Sequence, residues 1–131
     1  MSEAGKQTCK RKKEHLDISL SQDAAFEKKT NGFDKYEFVH NAVTEVNIDK
    51  IDLSVEFLGQ RINYPFFISC MTGGTIEAEN VNEKLAIAAE ALNIPVGIGS
   101  QRQALENNDH HSTFEVLKSK APSVPKLGNI G

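Results

Sequence analysis

The sequence lacks three features that would point to a membrane, to secretion or to nucleic acid. No apolar run approaches the length of a membrane span, and no apolar segment follows the polar, basic N-terminus as it would in a secretory signal. Positive charge is not in excess, because 15 Lys and Arg against 18 Asp and Glu give a formal net charge of −3. The sequence therefore predicts neither a membrane protein nor a fold that binds nucleic acid as a whole.

Cysteine is also scarce. Cys9 and Cys70 are the only two, and their spacing matches no zinc or redox motif. One lies in a polar N-terminal stretch and the other beside an apolar run, where a small packing residue is the favoured interpretation. Free cysteines of this kind are typical of a reducing compartment, so we expect the protein to be cytoplasmic.

Familiar catalytic signatures are missing as well. No Ser-His-Asp arrangement or Gly-x-Ser-x-Gly motif is visible, and Gly97-x-Gly99 lacks the third glycine of a dinucleotide fingerprint. The adjacent pair His110 and His111 is interpreted as loop, because neighbouring side chains point different ways and no metal spacing supports them. His40 follows an aromatic cluster and is interpreted as a packing or hydrogen-bonding residue.

What the sequence does have is the composition of one small soluble domain. It has 131 residues, 39% of them apolar and 25% charged. Residues 65–69 form a short apolar run that predicts a buried strand, and Met71-Thr72-Gly73-Gly74 ends it abruptly. Backbone N–H groups left open at such an end suit an anion or the polar edge of a cofactor. The alternative is a plain strand-to-helix turn in which the glycines only supply unusual φ angles.

Alternating strand and helix patterns follow this turn. Thr75 is a candidate cap for a helix whose inward stripe is predicted to be Val81, Leu85, Ala88, Ala89 and Leu92, and Asn93 and Pro95 end it. A buried strand is predicted over 94–99, a helix over 112–120 with Phe114 and Leu117 facing inward, and a third strand over 124–128. This order predicts parallel βαβ units, in either an open doubly wound sheet or a (β/α)8 barrel.

Polar or glycine-rich residues follow all three predicted strands. They are Met71 to Gly74, Ser100 to Arg102, and Asn129. Since chemistry sits at the C-terminal ends of parallel strands in both topologies, three such endings indicate a shared active face.

The region before the first strand divides into a tail and an arm. Residues 1–10 are predicted to be disordered, and residues 11–64 to form an arm of short helices followed by a hairpin over 53–64. Ser21 is a possible N-cap for a helix over 22–29, and the aromatic segment 33–39 is expected to pack on the body of the fold.

Five positive charges fall within residues 6–13. Three interpretations are open: a solvated basic tail, which is the usual one, a nucleic-acid or nuclear-import patch, and a phosphate-binding clamp. Arginine and lysine side chains both bind phosphate well.

Taken together, the motifs resemble the FMN-dependent type 2 isopentenyl-diphosphate isomerases. The likeness is carried by Arg11-Lys12-Lys13-Glu14-His15, Met71-Thr72-Gly73-Gly74, Gly99-Ser100-Gln101-Arg102 and Asn129, with support from residues 33–42. The resemblance implies a (β/α)8 barrel that interconverts isopentenyl and dimethylallyl diphosphate in isoprenoid biosynthesis. It implies reduced FMN and Mg²⁺ as cofactors, NADPH as reductant, and a homo-oligomer when full length.

The resemblance also implies roles for particular residues. Those expected to bind the diphosphate substrate are Arg11, Lys12, His15, Ser100, Gln101 and Arg102. Those expected to bind FMN are Met71, Thr72, Gly73, Ser100 and Asn129. No catalytic residue and no metal ligand of the family falls within this chain.

A complete barrel needs ~250 residues. We therefore expect residues 65–131 to supply the first three βα units of a single barrel domain, as an N-terminal piece that is inactive alone. There are two alternatives. One is another FMN-dependent oxidoreductase barrel, such as a 2-hydroxy-acid oxidase, and the other is a non-catalytic binding fragment. The basic motif and Ser100-Gln101-Arg102 argue against the oxidase, which has no diphosphate to hold.

Overall fold

The computed structural model describes residues 3–21, 23–106 and 110–130. Within these ranges the chain forms four α-helices, four short strands and two 3-10 helices. The helices are α1 (Glu3–Ser21), α2 (Ile76–Leu92), α3 (Arg102–Glu106) and α4 (Ser112–Lys120). The strands are β1 (Val55–Phe57), β2 (Gln60–Ile62), β3 (Val96–Ile98) and β4 (Lys126–Gly128).

The predicted hairpin is confirmed, although its strands are shorter than expected. β1 and β2 pair antiparallel, with Val55 opposite Ile62 and Phe57 opposite Gln60. Leu58 and Gly59 join them with φ angles of 51° and 74°. Two positive φ angles at the centre of a two-residue loop match the twist of the flanking strands.

The predicted parallel arrangement is confirmed for the second and third strands. β3 pairs with β4 in parallel, Val96 lying opposite Lys126 and Ile98 opposite Gly128. The first predicted strand is reduced to one parallel bridge, from Ile68 to Val96. Glycine in and after β3 allows this close approach, because a Cβ atom on Gly97 would lie 2.3 Å from Cys70 Sγ and one on Gly99 would lie 2.6 Å from the Thr72 carbonyl oxygen.

Helix α2 begins and ends where the sequence predicted. The Thr75 hydroxyl accepts a hydrogen bond from the Ala78 N–H, and Asn93 ends the helix in the left-handed conformation. Of the predicted inward stripe, only Ala89 is buried, together with Ala78, Asn82 and Ala86. Val81 and Leu85 are half-buried, and the prediction is wrong for Ala88 and Leu92, which are exposed. The inward face is rotated because a buried asparagine lies at its centre, and an apolar pattern cannot identify a buried polar residue.

The core lies between the parallel strands and the two helices that cover them. Its buried residues are Ala86, Ala89, Ile94, Val96, Ile98, Leu117, Ala121 and Val124, with Ile68 and Phe114 partly buried against them. The prediction that Phe114 and Leu117 face inward from a helix over 112–120 is therefore confirmed. Burial of these apolar side chains is the main favourable contribution to folding here.

The expectation that residues 1–10 are disordered is wrong for residues 3–10, which lie in α1. Helix-favouring residues and an ion pair between Lys10 and Glu14, 3.8 Å apart, support the helix locally. Tertiary contacts from α1 fix it further, as described below. No helix in the described ranges has the length and apolar character needed to span a membrane.

The predicted helix over 22–29 is also wrong. Ser21 ends α1 instead of starting a new helix, and its hydroxyl donates to the Asp17 carbonyl oxygen one turn earlier, at 2.5 Å. Residues 23–29 are not helical, and Asp23 accepts a hydrogen bond from the Ala25 N–H as in a turn. Gln22 lies outside the described residues.

The aromatic segment does not pack on the body of the fold. Phe33, Tyr36 and Phe38 are 75%, 80% and 104% exposed, and His40 is exposed as well. A 3-10 helix, Phe33–Lys35, lies in this segment, and a second, Ile48–Lys50, lies further along the chain. Short-range hydrogen bonds hold both regions, such as those from Thr30 to Asp34 and from the Asp49 N–H to Asn47, so they keep a local shape without tertiary burial.

Candidate functional site

The three predicted strand endings lie side by side. The Gly99 N–H donates to the Thr72 carbonyl oxygen at 2.7 Å, and the Gln101 N–H donates to the Asn129 carbonyl oxygen at 2.8 Å. The Asn129 N–H in turn donates to the Ile98 carbonyl oxygen at 3.3 Å. These bonds bring Met71 to Gly74, Ser100 to Arg102, and Asn129 to one edge, as the sequence predicted.

Lys12 connects α1 to this edge. Its Nζ donates to the carbonyl oxygens of Gly73 and Ser100, each at 2.8 Å. It also lies 5.6 Å from the centre of the Phe114 ring, within the range of a cation–π interaction. A half-buried ammonium group that bonds two carbonyls holds two strand endings and the N-terminal helix in one arrangement.

A cleft of about 240 Å³ lies between α1 and the turn that follows Ile68. Its lining is Lys12, His15, Leu16, Ser19, Met71, Thr72, Gly73, Thr75 and Ala78. Pockets for cofactors and drug-sized ligands are typically about 300–1,000 Å³. The cleft therefore has room for part of such a ligand, and it brings the basic motif and the glycine turn to the same space.

The backbone N–H groups of the turn differ in their hydrogen bonding. The Gly74 N–H donates to Thr113 Oγ1 at 2.9 Å, and Gly74 has a φ of +86°, which favours glycine. In the part of the chain that the structure describes, the N–H groups of Met71, Thr72 and Gly73 find no hydrogen-bond acceptor. Open N–H groups beside a cleft fit the carbonyl and ring-nitrogen edge of a flavin.

The predicted site residues separate into two groups. Lys12, His15, Met71, Thr72 and Gly73 line the cleft together. Four others lie outside its lining, namely Arg11, Gln101, Arg102 and Asn129, and Ser100 reaches it through the carbonyl that Lys12 binds. Arg11 is exposed one turn before His15 on α1, so both side chains lie on the same face of the helix.

Three buried polar residues behind the turn were not predicted. Asn82, Thr113 and Gln103 are 2%, 0% and 1% exposed. Gln103 Nε2 donates to Cys9 Sγ at 2.9 Å, and that sulfur lies 3.5 Å from the Gly74 carbonyl oxygen. Cys9 is therefore half-buried in a contact with α3, and not in a polar tail as expected. A polar residue within an otherwise apolar helix face was the available signal for Asn82.

Charge around the start of α2 is acidic. Hydrogen bonds from its own backbone N–H and from the Thr75 hydroxyl hold the pKa of Glu77 below its ordinary value. Electrostatic interactions with Lys13 and His110 lower that pKa further. Among residues 3–21, 23–106 and 110–130, no three His, Cys, Asp or Glu side chains are grouped so as to hold a metal ion.

Comparison with known proteins identifies the class. The profile of the FMN-dependent dehydrogenase family matches residues 4–117, and the chain belongs to that family. The match includes all of α1 after Glu3, the glycine turn and every residue that lines the cleft.

Individual relatives are more specific. The chain is 48% identical over 124 residues to the isopentenyl-diphosphate delta-isomerase of Chlorobium limicola, covering 95% of this chain and 34% of that protein. It is 47% identical over 132 residues to the enzyme of the same name from Pelodictyon phaeoclathratiforme, covering 100% and 37%. The Vibrio parahaemolyticus isomerase is 46% identical over 121 residues, covering 92% and 36%. The resemblance inferred from the motifs is thus confirmed, and the chain spans about a third of the length of these relatives.

Proposed function

We propose that this chain forms part of an FMN-dependent isomerase that interconverts isopentenyl diphosphate and dimethylallyl diphosphate. The observation that carries this proposal is the cleft that Lys12 and His15 of the basic motif share with Met71, Thr72 and Gly73. A lysine and a histidine next to open backbone amides combine the donors that a diphosphate and a flavin require. The names of the relatives support the same activity.

The fold supports a barrel in which this chain provides the first three βα units. The Ile68 segment, β3 and β4 lie in parallel in the order in which they occur along the chain. Helices α2 and α4 pack together over the same core. Consecutive parallel strands with their helices on one face are the repeating unit of a (β/α)8 barrel, and the polar strand endings then lie at its catalytic face.

FMN is the expected cofactor, and the turn and its neighbours fit it. Met71, Thr72 and Gly73 would contact the flavin through the open backbone groups, with Ser100 and Asn129 on adjoining strand endings. When bound and reduced, the flavin would supply acid–base chemistry at the substrate double bond, without net oxidation. The residues of this chain would hold and orient it.

The diphosphate is proposed to lie against the exposed face of α1. Arg11 and His15 are stacked one turn apart there, next to the cleft. Arg11 would provide the planar, two-donor contact, and Gln101 and Arg102 would reach the substrate from the neighbouring strand ending. The contacts of Lys12 with Gly73 and Ser100 support a position between the two ligands, where it would contribute positive charge while fixing the turn.

Other properties belong to the same proposal. Mg²⁺ would accompany the diphosphate, NADPH would keep the flavin reduced, and the complete enzyme would be a cytoplasmic homo-oligomer. No nucleic-acid or membrane partner is proposed. The chain alone is expected to bind FMN weakly and to be inactive.

The second candidate is an oxidoreductase, and the family description favours it by name. A flavin dehydrogenase acting on a 2-hydroxy acid would use the same glycine turn. It would not require a basic motif on α1, and the position of Lys12 and His15 in the cleft therefore favours the isomerase.

A hybrid enzyme tests the proposal. In this hybrid, the chain replaces the matching 124-residue portion of the Chlorobium limicola isomerase. The hybrid and the unaltered parent are each supplied with reduced FMN and Mg²⁺, and conversion of isopentenyl diphosphate is followed. We expect conversion by both proteins and none with a 2-hydroxy acid. A hybrid that binds FMN and oxidises the 2-hydroxy acid instead would contradict the proposal.

A further inference from the structure

A buried network behind the glycine turn has no assigned role in this chemistry. Its members are Asn82 on α2 and Thr113 on α4, both in contact with the backbone of the turn. We propose that Asn82 is a positioning residue that, with Thr113, sets the direction of the open N–H groups of the Met71–Gly74 turn toward the flavin. This inference rests on the proposed function, because it assigns the turn to FMN.

Every hydrogen-bonding atom of the Asn82 side chain is used. Its Nδ2 donates to the Thr72 carbonyl oxygen at 3.3 Å and to the Thr113 carbonyl oxygen at 3.1 Å. Its Oδ1 pairs with the Thr72 hydroxyl. With only 2% of the residue exposed, water cannot replace these partners. Asn82 therefore fixes both the backbone and the side chain of Thr72.

Thr113 provides the second fixed point. Its Oγ1 accepts from the Gly74 N–H and donates to the His110 carbonyl oxygen, each at 2.9 Å, and the residue is fully buried. The turn is thus held at Thr72 and at Gly74, with Gly73 between them. Because the carbonyl of Gly73 is bound by Lys12, little rotation is left to the peptide groups that face the cleft.

The chemistry of asparagine explains why this residue type is needed. This buried position requires two N–H donors and one acceptor, and the asparagine side chain provides all three. Aspartate of the same shape would lose both donors and place a carboxylate against two carbonyl oxygens. At Thr113, valine keeps the shape but cannot accept from Gly74, whereas serine can.

The test uses paired variants in the hybrid enzyme. Asn82→Asp is compared with Asn80→Asp, a control on the same helix whose side chain is exposed. Thr113→Val is compared with Thr113→Ser, which restores the hydroxyl. The readouts are the FMN dissociation constant from fluorescence quenching and the visible absorption spectrum of bound FMN, which reports hydrogen bonds to the flavin ring.

We expect Asn82→Asp and Thr113→Val to raise the FMN dissociation constant by at least about tenfold. Asn82→Asp loses the two hydrogen bonds that the Asn82 side chain donates, and Thr113→Val leaves the Gly74 N–H without its acceptor. Both should shift the flavin spectrum, while Asn80→Asp and Thr113→Ser remain near the unaltered hybrid. Equal FMN binding in Asn82→Asp and Asn80→Asp, or failure of Thr113→Ser to recover what Thr113→Val loses, would overturn the inference.

A second measurement does not depend on FMN or on the isomerase proposal. Amide hydrogen exchange in the chain itself compares the Gly74 N–H with the Gly97 N–H, which donates to the Ile68 carbonyl oxygen in the core. Thr113→Val should accelerate exchange at Gly74 more than at Gly97. Equal acceleration at both positions would mean general destabilisation, and the positioning role would be rejected even if the enzyme isomerises its substrate.

Discussion

Gly74 is the position where the structure leaves least room, and Gly74→Ala should destabilise the chain strongly. Its φ of +86° is strained for any residue with a Cβ atom, at about 1–2 kcal/mol. A Cβ atom there would also lie 1.6 Å from Gln103 Oε1 and 3.2 Å from Lys12 Nζ. The contact with Gln103 is too short to persist, so that side chain must move, and Lys12 Nζ must shift slightly.

Gln103 cannot move at low cost. It is 1% exposed, and its Nε2 donates to Cys9 Sγ, so displacing it breaks the contact between α3 and α1. Overpacking of this kind adds about 1–3 kcal/mol. The expected loss for Gly74→Ala is therefore about 2–5 kcal/mol in the free energy of unfolding, measured by urea denaturation followed by circular dichroism.

Gly59→Ala is the matched control for this substitution. Gly59 has a φ of +74°, but nothing lies within 4 Å of the position its Cβ atom would take. It should lose only the conformational part, about 1–2 kcal/mol. The double variant Gly74→Ala, Gln103→Ala should recover much of the overpacking and none of the φ strain. Equal losses for Gly74→Ala and Gly59→Ala would refute the reasoning.

Further predictions concern Arg11, Lys12 and the Glu90 carboxylate. Arg11→Ala in the hybrid should raise KM for the diphosphate by about thirtyfold, about 2 kcal/mol, with Arg11→Lys recovering part of it; an unchanged KM would leave Arg11 as a solvated residue. Lys12→Met should weaken both FMN and substrate binding in titrations, because Gly73 and Ser100 lose a shared donor; loss of substrate binding alone would contradict its position. Hydrogen bonding from Ser123, whose backbone N–H donates to Glu90 Oε2 at 3.1 Å, holds the pKa of the Glu90 carboxyl below its ordinary value of 4.5. Its stabilising effect is therefore fully present above that pH and is lost as pH falls through the lowered pKa. Glu90→Gln should therefore reduce the difference between urea midpoints at pH 7 and pH 3, and an unchanged difference would show that this carboxylate does not contribute.

Local signals predicted the elements whose chemistry is itself local. Thr75 and Asn93 identified both ends of α2, and the pattern over residues 53–64 identified the hairpin. The parallel strands were visible as apolar runs, and their polar endings could be placed at one edge because parallel strands share a direction. The family motifs then connected that edge to a flavin and a diphosphate.

The remaining features depend on tertiary contacts, which periodicity does not encode. Residues 3–10 were expected to be disordered, yet they lie in α1. Contacts from Cys9 and Lys12 of this helix to the Gly73-Gly74 backbone hold it against the turn. The aromatic segment near Phe38 was expected to be buried because it is apolar, yet it is exposed. Asn82 was missed because its sequence signal, a polar residue within an otherwise apolar helix face, does not reveal the hydrogen bonds to Thr72 and Thr113 that allow it to be buried.

The balance between NADPH and product tests the central claim most directly. The hybrid enzyme is supplied with FMN, Mg²⁺, isopentenyl diphosphate and limiting NADPH without oxygen, and NADPH oxidation and dimethylallyl diphosphate are measured in the same sample. An isomerase needs reduced flavin but consumes none of it, so many product molecules should form for each NADPH oxidised, and oxidised FMN in air should give no turnover. Consumption of NADPH or O₂ in step with product would contradict the account and assign this cleft to an oxidoreductase.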